Sequence, residues 1–258
     1  MTLEHPAYGL LRPVTETAAV LLCNNPGLMT LDGTNTWVLR GPGSDEMVVV
    51  DPGPEDDEHI ARIAELGKIA LVLISHKHED HTGGIDKIVE LTGAVVRSVG
   101  SGFLRGLGGP LTEGEVIDAA GLHITVMATP GHTADSVSFL LDDAVLTGDT
   151  VLGRGTTVID NEDGSLGEYL ESLRRLQGLG QRTVLPGHGP DLDDLTAVSA
   201  MYLAHREERL DQVRSALRVL GDGASARQIV EHVYTDVDEK LWDAAEWSVQ
   251  AQLDYLRS

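Results

Sequence analysis

The sequence is poor in several residue types, and each shortage narrows what the protein can be. Its 258 residues include one cysteine, Cys23, so no disulfide can form within the chain. The N-terminal stretch MTLEHPAYGLLRP has neither the basic start nor the apolar core of a secretory signal. No run approaches the roughly 18 consecutive apolar residues of a membrane-spanning helix. These absences predict a cytoplasmic protein without a membrane segment.

Basic residues are also scarce. Lysine and arginine total 19 against 41 aspartates and glutamates, which gives a formal net charge of −22. A field of this sign repels nucleic-acid phosphates and anionic lipid surfaces. We therefore expect neither duplex DNA nor a membrane as a partner. Aromatic residues make up only 4% of the chain, so valine, leucine, isoleucine and alanine are expected to form most of the core.

Strand-like and helix-like segments alternate over the first 190 residues. Short apolar runs predict strands at 17–23, 35–40, 46–50, 69–74, 94–99 and 183–185, and four more within 116–148. Helical spacing predicts helices at 58–66, 84–91 and 165–178. This alternation is typical of a layered α/β fold. Beyond residue 190 only helices are predicted, at 193–220, 225–233 and 238–256, so the predicted domains are 1–190 and 191–258.

The segment LVLISHKHEDHTGGI at 71–85 ends an apolar run in a cluster of metal-binding side chains. His76, His78, Asp80 and His81 fall within six positions. Imidazole and carboxylate groups are ligands that suit Zn²⁺ and similar divalent ions. His76 and His78 are two residues apart and point the same way in extended backbone, whereas Asp80 and His81 follow a turn. The motif therefore offers two ligands to each of two adjacent positions.

Three further candidate ligands occur in the same local setting. His132 in ATPGHT, Asp149 in VLTGDT and His188 in VLPGHG each follow an apolar strand-like run and adjoin a glycine. Sites in α/β folds are built where strands end. We therefore expect these three side chains to join the 76–81 cluster in one metal site.

With these motifs, residues 10–190 resemble the metallo-β-lactamase-fold hydrolases. The resemblance implies a four-layer αββα sandwich with a dinuclear metal site at one edge. The ligand assignment that it implies is His76, His78 and His132 for one metal, Asp80, His81 and His188 for the other, and Asp149 as the bridge. Zn²⁺ is the expected ion, with Mn²⁺ or Fe²⁺ as alternatives, because N and O ligands discriminate poorly among them.

A chemical mechanism follows from two adjacent dications. A water that they share loses a proton near neutral pH, so hydroxide is available for attack on a carbonyl or phosphorus centre. The expected enzyme is thus a metal-dependent hydrolase that uses a metal-bridging hydroxide, with Asp80 and Asp149 as its catalytic carboxylates. A non-catalytic metal-binding module is an alternative from a different class of function. It is disfavoured because all seven ligand positions are filled.

The sequence leaves the substrate class undecided between two branches of that superfamily. Segments 25–39 (NPGLMTLDGTNTWVL) and 148–160 (GDTVLGRGTTVID) resemble the β-lactamase-like protein 2 group, whose better-known members cleave single-stranded RNA. The helical segment after residue 190 is similar to that group's small winged-helix-like domain, without its β-wing. This resemblance implies an endoribonuclease acting on single-stranded RNA. The alternative is a glyoxalase-II-like hydrolase of a small-molecule ester or thioester.

Four arginines in the last predicted domain bear on this choice. Spacings of three and four place Arg206 with Arg209, and Arg214 with Arg218, on shared helix faces. We interpret them as a solvated face paired with the neighbouring acidic residues 207, 208 and 211. The functional alternative is a basic stripe that binds phosphates or a carboxylate.

The segment GRGTT at 153–157 lies just past Asp149 and is expected to border the metal site. Arg154, Thr156 and Thr157 are therefore predicted to contact substrate or to order the loop. The opposing interpretation is a turn whose shape is fixed by its two glycines.

Overall fold

The computed structural model describes residues 4–235 and 242–257. Its strands are β1 (Arg12–Pro13), β2 (Ala18–Leu22), β3 (Asn35–Leu39), β4 (Glu46–Val50), β5 (Lys68–Leu73), β6 (Val96–Arg97), β7 (Val116–Ala119), β8 (Leu122–Ala128), β9 (Val137–Leu140), β10 (Ala144–Gly148) and β11 (Thr183–Pro186). Its α-helices are α1 (Asp57–Glu65), α2 (Glu79–Thr82), α3 (Ile85–Thr92), α4 (Leu166–Gln177), α5 (Leu195–Leu220), α6 (Ala226–Val233) and α7 (Trp242–Arg257).

These strands form two mixed sheets. The first has the order β1-β2-β3-β4-β5-β6, with antiparallel pairs from β1 to β4 and parallel pairs from β4 to β6. The second has the order β11-β10-β9-β8-β7 and is antiparallel except for the β10–β11 pair. The continuous apolar run of β5 is explained by its place between two parallel neighbours, which is usual for strands covered on both faces.

The sheets pack face to face, and helices cover their outer faces. Trp37 of the first sheet and Phe139 of the second lie in the core between the sheets. Ile60 of α1 packs on the outer face of the first sheet. Tyr169 of α4 and Tyr202 of α5 belong to the core outside the second sheet. The predicted four-layer αββα arrangement is confirmed.

The described elements beyond residue 190 are helical, as predicted. The side chain of Asp194 caps α5 by accepting from the backbone N–H of Ala197 at 3.0 Å. The first half of α5 packs against the second sheet's outer core, whereas Val213 and Ala216 in its second half pack with α6 and α7. One helix thus contributes to both cores, and the division at residue 190 stays a prediction.

Several elements differ from the sequence-based expectation. The strand predicted at 94–99 is only Val96–Arg97, because the chain turns back and Arg105 pairs with Val96 on its free side. The four-residue helix α2 was not predicted and begins inside the HKHEDH motif. The start of the helix predicted at 238–256 lies outside the described residues, and its described part is α7.

Candidate metal centre

All seven candidate ligands lie at one edge of the sandwich, just beyond strand ends. β5 ends at Leu73 and is followed by the 76–81 motif; Asp149 and His188 follow β10 and β11 closely, and His132 follows β8. His78 is the N-cap residue of α2, so this helix carries Asp80 and His81 onto the site. The expectation that these motifs meet in space is confirmed, because the seven side chains form overlapping groups with ligand atoms within 4.8 Å of one another.

One group consists of three imidazoles. His76 Nε2 and His132 Nε2 each lie 3.0 Å from His78 Nδ1. His76 and His132 are buried, whereas the His78 side chain is one-third exposed and faces the open side. These are the three residues expected to hold the first metal.

The second group combines two imidazoles with a carboxylate. His188 Nε2 lies 3.1 Å from Asp80 Oδ2 and 3.3 Å from His81 Nε2, and His81 Nε2 lies 3.5 Å from Asp80 Oδ2. Asp149 lies between the two groups: its Oδ2 is 3.3 Å from His188 Nε2 and 3.8 Å from His132 Nε2. Of the two carboxylates among the seven side chains, Asp149 is thus the one that approaches nitrogen ligands of both groups.

A buried aspartate outside the seven orients two of the histidines. Asp51 accepts hydrogen bonds from His81 Nδ1 at 2.9 Å, from the Ser75 hydroxyl at 2.6 Å and from the Ser75 backbone N–H at 2.8 Å. Since the Ser75 hydroxyl donates to Asp51, it accepts from His76 Nδ1 at 2.9 Å. Both rings therefore hold a proton on Nδ1 and turn Nε2 towards the site.

The other three histidines are oriented in the same manner. His132 Nδ1 donates to the Val158 carbonyl at 2.6 Å, and His188 Nδ1 donates to the Gly33 carbonyl at 3.0 Å. His78 is reversed: its Nε2 donates to Asp160 Oδ2 at 3.3 Å, so its Nδ1 faces the site. The hydrogen-bond network thus assigns a tautomer to each ring that leaves an inward lone pair.

This arrangement fits metal ions. In the first group, the inward nitrogen of His78 lies 3.0 Å from those of His76 and His132, and their lone pairs repel one another unless a cation lies between them. A tetrahedral zinc site with bonds of about 2.0–2.1 Å separates its ligands by about 3.3 Å, close to the spacings in both groups. Asp149 Oδ1 is also buried without a hydrogen-bond partner among the described residues. The His/Asp clusters are therefore suited to a dinuclear metal site.

The charges of the centre shift one another's pKa values. Burial favours a neutral ring, but the carboxylates of Asp80 and then Asp149 outweigh it and raise the pKa of His81 well above its usual value. Burial also favours a neutral His188 ring, but Asp149 and Asp80 outweigh it and raise the pKa of His188 to about 9. Burial, followed by the repulsion of His81, instead lowers the pKa of His76 well below normal. Among the site imidazoles with a shifted pKa, His81 and His188 are thus the two whose surroundings favour the protonated form.

Glycines next to the ligands make room for this crowding. A Cβ atom on Gly187 would lie 2.3 Å from Asp149 Oδ1 and 2.8 Å from His81 Cε1. Gly148 has a φ of +47°, and a Cβ there would lie 2.8 Å from Ser75 Cβ. The glycines before Asp149 and His188 in the sequence are thus required by close packing behind the ligands.

The three predicted substrate-contact residues occupy different places. Thr157 is buried, and its hydroxyl donates to the Asp149 carbonyl at 2.7 Å, so it fixes the backbone of a ligand. Arg154 is half-exposed and forms a bidentate ion pair with Asp32 of the 25–39 segment, with Nη2 to Oδ1 at 2.8 Å. Thr156 is partly buried between them in the chain. Substrate contact by any of the three stays a prediction.

Sequence reasoning missed Asp51, although a signal was present. Asp51 follows the apolar strand β4 and precedes a proline and a glycine, the same strand-end setting as Asp149. It has a φ of +56°, which is uncommon outside glycine and most tolerated by asparagine and aspartate. Its carboxylate is 2% exposed and saturated by the three donors described above. Its role is to hold His81 and, through Ser75, His76.

The sequence profile of the metallo-beta-lactamase superfamily matches residues 29–188, which contain every ligand described above. The chain belongs to the metallo-beta-lactamase superfamily. Members of this superfamily are hydrolases. A second profile, that of the beta-lactamase associated winged helix domain, matches residues 225–258. The fold is therefore a metallo-beta-lactamase domain followed by a C-terminal winged-helix domain.

Individual members of the superfamily resemble the chain over most of its length. It is 30% identical to the Beta-lactamase-like protein 2 homolog of Drosophila melanogaster, over 94% of this chain and 88% of the relative. It is 33% identical to an atrochrysone carboxyl ACP thioesterase of Aspergillus fumigatus, over 83% of this chain and 72% of the relative. A crystal structure of a Beta-lactamase domain protein from Burkholderia ambifaria superposes with a TM-score of 0.83 at 22% identity, covering 98% and 89% of the two chains.

None of the helices within the described ranges combines membrane-spanning length with an apolar sequence.

Proposed function

We propose that this superfamily member is a dinuclear, Zn²⁺-dependent hydrolase of carboxylic thioesters. The observation that carries the substrate class is the acidic rim beside His78. Lys77 Nζ lies 3.1 Å from Asp160, 3.0 Å from Asp163 and 3.6 Å from Glu162. Three carboxylates against one ammonium leave this rim negative, in a chain whose net charge is −22. The reacting group of an acyl thioester is a neutral carbonyl, whereas the reacting group of RNA is an anionic phosphodiester, which this rim repels.

The leaving group supports the same choice. The five site histidines each have one ring nitrogen directed at a ligand position and the other bound to an outer acceptor. Within the described site, no imidazole is therefore free to protonate a leaving oxygen. A thiol has a pKa of about 8.5 and leaves as a thiolate without that help. An alkoxide, as basic as the hydroxide of water, does not.

The chemistry of the proposed reaction is divided between the ions and the chain. Two bound divalent ions lower the pKa of water towards neutrality and polarise a carbonyl oxygen. His76, His78 and His132 would hold one ion and Asp80, His81 and His188 the other, with Asp149 between them. The chain's own contribution is orientation: five outer hydrogen bonds set the tautomers, and Thr157 holds the Asp149 backbone in place.

One relative supports a thioester by its own name, the fungal ACP thioesterase at 33% identity. A second candidate function, cleavage of single-stranded RNA, is favoured by a different observation. The chain matches the Drosophila Beta-lactamase-like protein 2 homolog over nearly all of its length, including the C-terminal domain. The resemblance of segments 25–39 and 148–160 to that group supports the same candidate.

A substrate panel on the zinc-loaded protein separates the two candidates. It contains an acyl-coenzyme A thioester, an acyl N-acetylcysteamine thioester and a short single-stranded RNA, and Asp149→Asn serves as the inactive control. We expect thioester hydrolysis that Asp149→Asn abolishes. RNA cleavage that is lost in Asp149→Asn, with both thioesters left intact, would replace the thioesterase by the ribonuclease. In that case, the logarithm of RNA affinity should fall with the logarithm of salt by about 0.7 per phosphate contacted.

A further inference from the structure

Apart from the metal centre, a polar cavity lies between the metallo-beta-lactamase domain and the C-terminal helices. Its volume is about 210 Å³, several times the roughly 30 Å³ that one water occupies in the liquid. The loop after Asp149 forms one wall with residues 156–158, and α5 forms another with His205, Arg206 and Arg209. Tyr234 and three residues of α7, Ala245, Ser248 and Gln252, complete the lining. We call this cavity the α5 pocket.

The α5 pocket is positive in an acidic protein. Two guanidinium groups and an imidazole line it, and in the described ranges no carboxylate does. Arg206 is only 4% exposed, so the expectation that it lies on a solvated helix face is wrong. By contrast, Arg214 is partly exposed and pairs with Glu207 and Asp211, as expected. Burial, followed by the repulsion of Arg206 and Arg209, lowers the pKa of His205.

Three buried polar atoms of the lining have no hydrogen-bond partner among the described residues: His205 Nδ1, Arg206 Nε and Gln252 Oε1. Arg209 Nε donates to His205 Nε2 at 3.4 Å, so the proton of His205 is on Nδ1. Two of the three atoms are therefore N–H donors and the third is an acceptor. Buried groups of this kind are costly to leave unpaired, and a ligand that reached them would offset that cost.

The guanidinium groups are held in place rather than loosely solvated. Arg206 donates through Nη2 to the Thr157 carbonyl and lies over the Tyr169 ring, 5.0 Å from its centroid. Arg209 donates through Nη1 to Gln212 at 2.8 Å and lies over the Tyr234 ring at 5.3 Å. Fixed guanidinium donors favour tetrahedral oxyanions. An acceptor in the same wall matches the P–OH group of a hydrogen phosphate.

We propose that the α5 pocket binds a phosphate group, either as free inorganic phosphate or as a phosphate carried by the substrate. The pocket adjoins the metal centre through a shared wall. Thr157, which lines the pocket, donates to the Asp149 carbonyl at 2.7 Å, and the Val158 carbonyl accepts from His132 at 2.6 Å. Occupation of the pocket therefore touches the same segment that positions two metal ligands. The pocket does not depend on the proposed thioesterase activity, because free phosphate tests it directly.

The test is calorimetric titration of inorganic phosphate into the zinc-loaded wild type, Arg209→Gln and Arg214→Gln. Charge-assisted contacts of this type predict a loss of about tenfold to hundredfold in phosphate affinity for Arg209→Gln, and none for the control Arg214→Gln, which changes a residue outside the pocket lining. Phosphate that bound at the metals instead would have the same affinity for all three proteins. Equal affinity in the wild type and Arg209→Gln, or no binding to the wild type, would overturn the proposal.

Two further measurements complete the design. If Arg209→Gln fails to fold, as judged by thermal unfolding, Arg209→Lys replaces it: charge is kept but the planar fork is lost, and weaker binding is again expected. A second measurement tells free phosphate from a phosphate carried by the substrate. It compares the KM of the wild type and Arg209→Gln for two thioesters, an acyl-coenzyme A, which carries phosphate, and an acyl N-acetylcysteamine, which does not. A KM increase for the coenzyme A ester alone assigns the pocket to substrate phosphate. Unchanged KM values with lost phosphate binding assign it to free phosphate.

Discussion

Asp51 offers the sharpest test of how this metal centre is built. The informative change is Asp51→Asn, because asparagine tolerates the φ of +56° at this position, so the backbone is preserved. The aspartate accepts three hydrogen bonds: two at Oδ2, from Ser75 Oγ and His81 Nδ1, and one at Oδ1, from the Ser75 backbone. An amide has one oxygen, so its NH₂ group must face at least one of these donors.

The effect of Asp51→Asn depends on which hydrogen-bond donor faces the NH₂ group. If the NH₂ group faces His81, the ring can accept through Nδ1 only by moving its proton to Nε2, the atom directed at the second metal position. Loss of an orienting partner of this kind costs about 10–100-fold in metal affinity. If the ring keeps its tautomer instead, a buried donor is left unpaired, which costs about 1–3 kcal/mol of folding free energy. Either result is large compared with the effect of an exposed carboxylate.

The assay is competition between the protein and a chelator for zinc, combined with urea unfolding of the metal-free protein. The control is Asp142→Asn, which removes the same charge from an exposed turn. We expect Asp51→Asn to weaken binding of the second zinc at least tenfold, or to lower the unfolding free energy by at least 1 kcal/mol. If the variant matches Asp142→Asn in both measurements, Asp51 does not position His81.

Four other outcomes are expected. Elemental analysis should find two zinc ions per chain, and Asp149→Ala should lower this number and abolish turnover while thermal unfolding stays cooperative; an active variant would contradict the bridging role. Because the raised pKa of His188 (about 9) means that a proton leaves when metal binds, zinc affinity should rise from pH 6 to 8, with proton release seen as buffer-dependent binding heat. Thr157→Val, which loses the bond to the Asp149 carbonyl, should lower kcat more than Thr156→Val does. Arg154→Gln should raise KM by freeing the 25–39 segment, and an unchanged KM and kcat would assign Arg154 to a structural turn.

The fold was predictable to the extent that hydrophobic patterns report on burial. Strands such as β4 and β5 are continuous apolar runs with turn residues on both sides, and the structure places them where the sequence does. The strand at 94–99 was over-extended because apolar residues there pack without a continuous ladder partner. The helix α2 was missed because four residues are too few to show a helical period.

The convergence of the seven candidate ligands was predictable, but the groups that orient them were not. Histidines clustered after strands are a local signal, and all seven candidates belong to overlapping groups whose ligand atoms lie within 4.8 Å of one another. The groups that set their tautomers are distant in sequence or belong to the backbone, such as the Gly33 and Val158 carbonyls. A carbonyl has no sequence signature, so these contacts follow only from the folded chain. Asp51 is the exception, since its strand-end setting was visible.

Arg206 shows why charge patterns on a helix are a weak guide to function. Acidic neighbours at 207, 208 and 211 favoured a solvated stripe, and two of them, Glu207 and Asp211, do pair with an arginine, but with Arg214. The same helix turns Arg206 inward against Tyr169, because position 206 lies on the buried face of α5 with Tyr202 and Leu210, and a guanidinium can satisfy a buried carbonyl. Spacing alone does not separate Arg206 from Arg214; only the packing partner does. A long helix shared by two cores can therefore carry a charge from the C-terminal domain to the segment that holds Asp149, which the sequence assigns to the other domain.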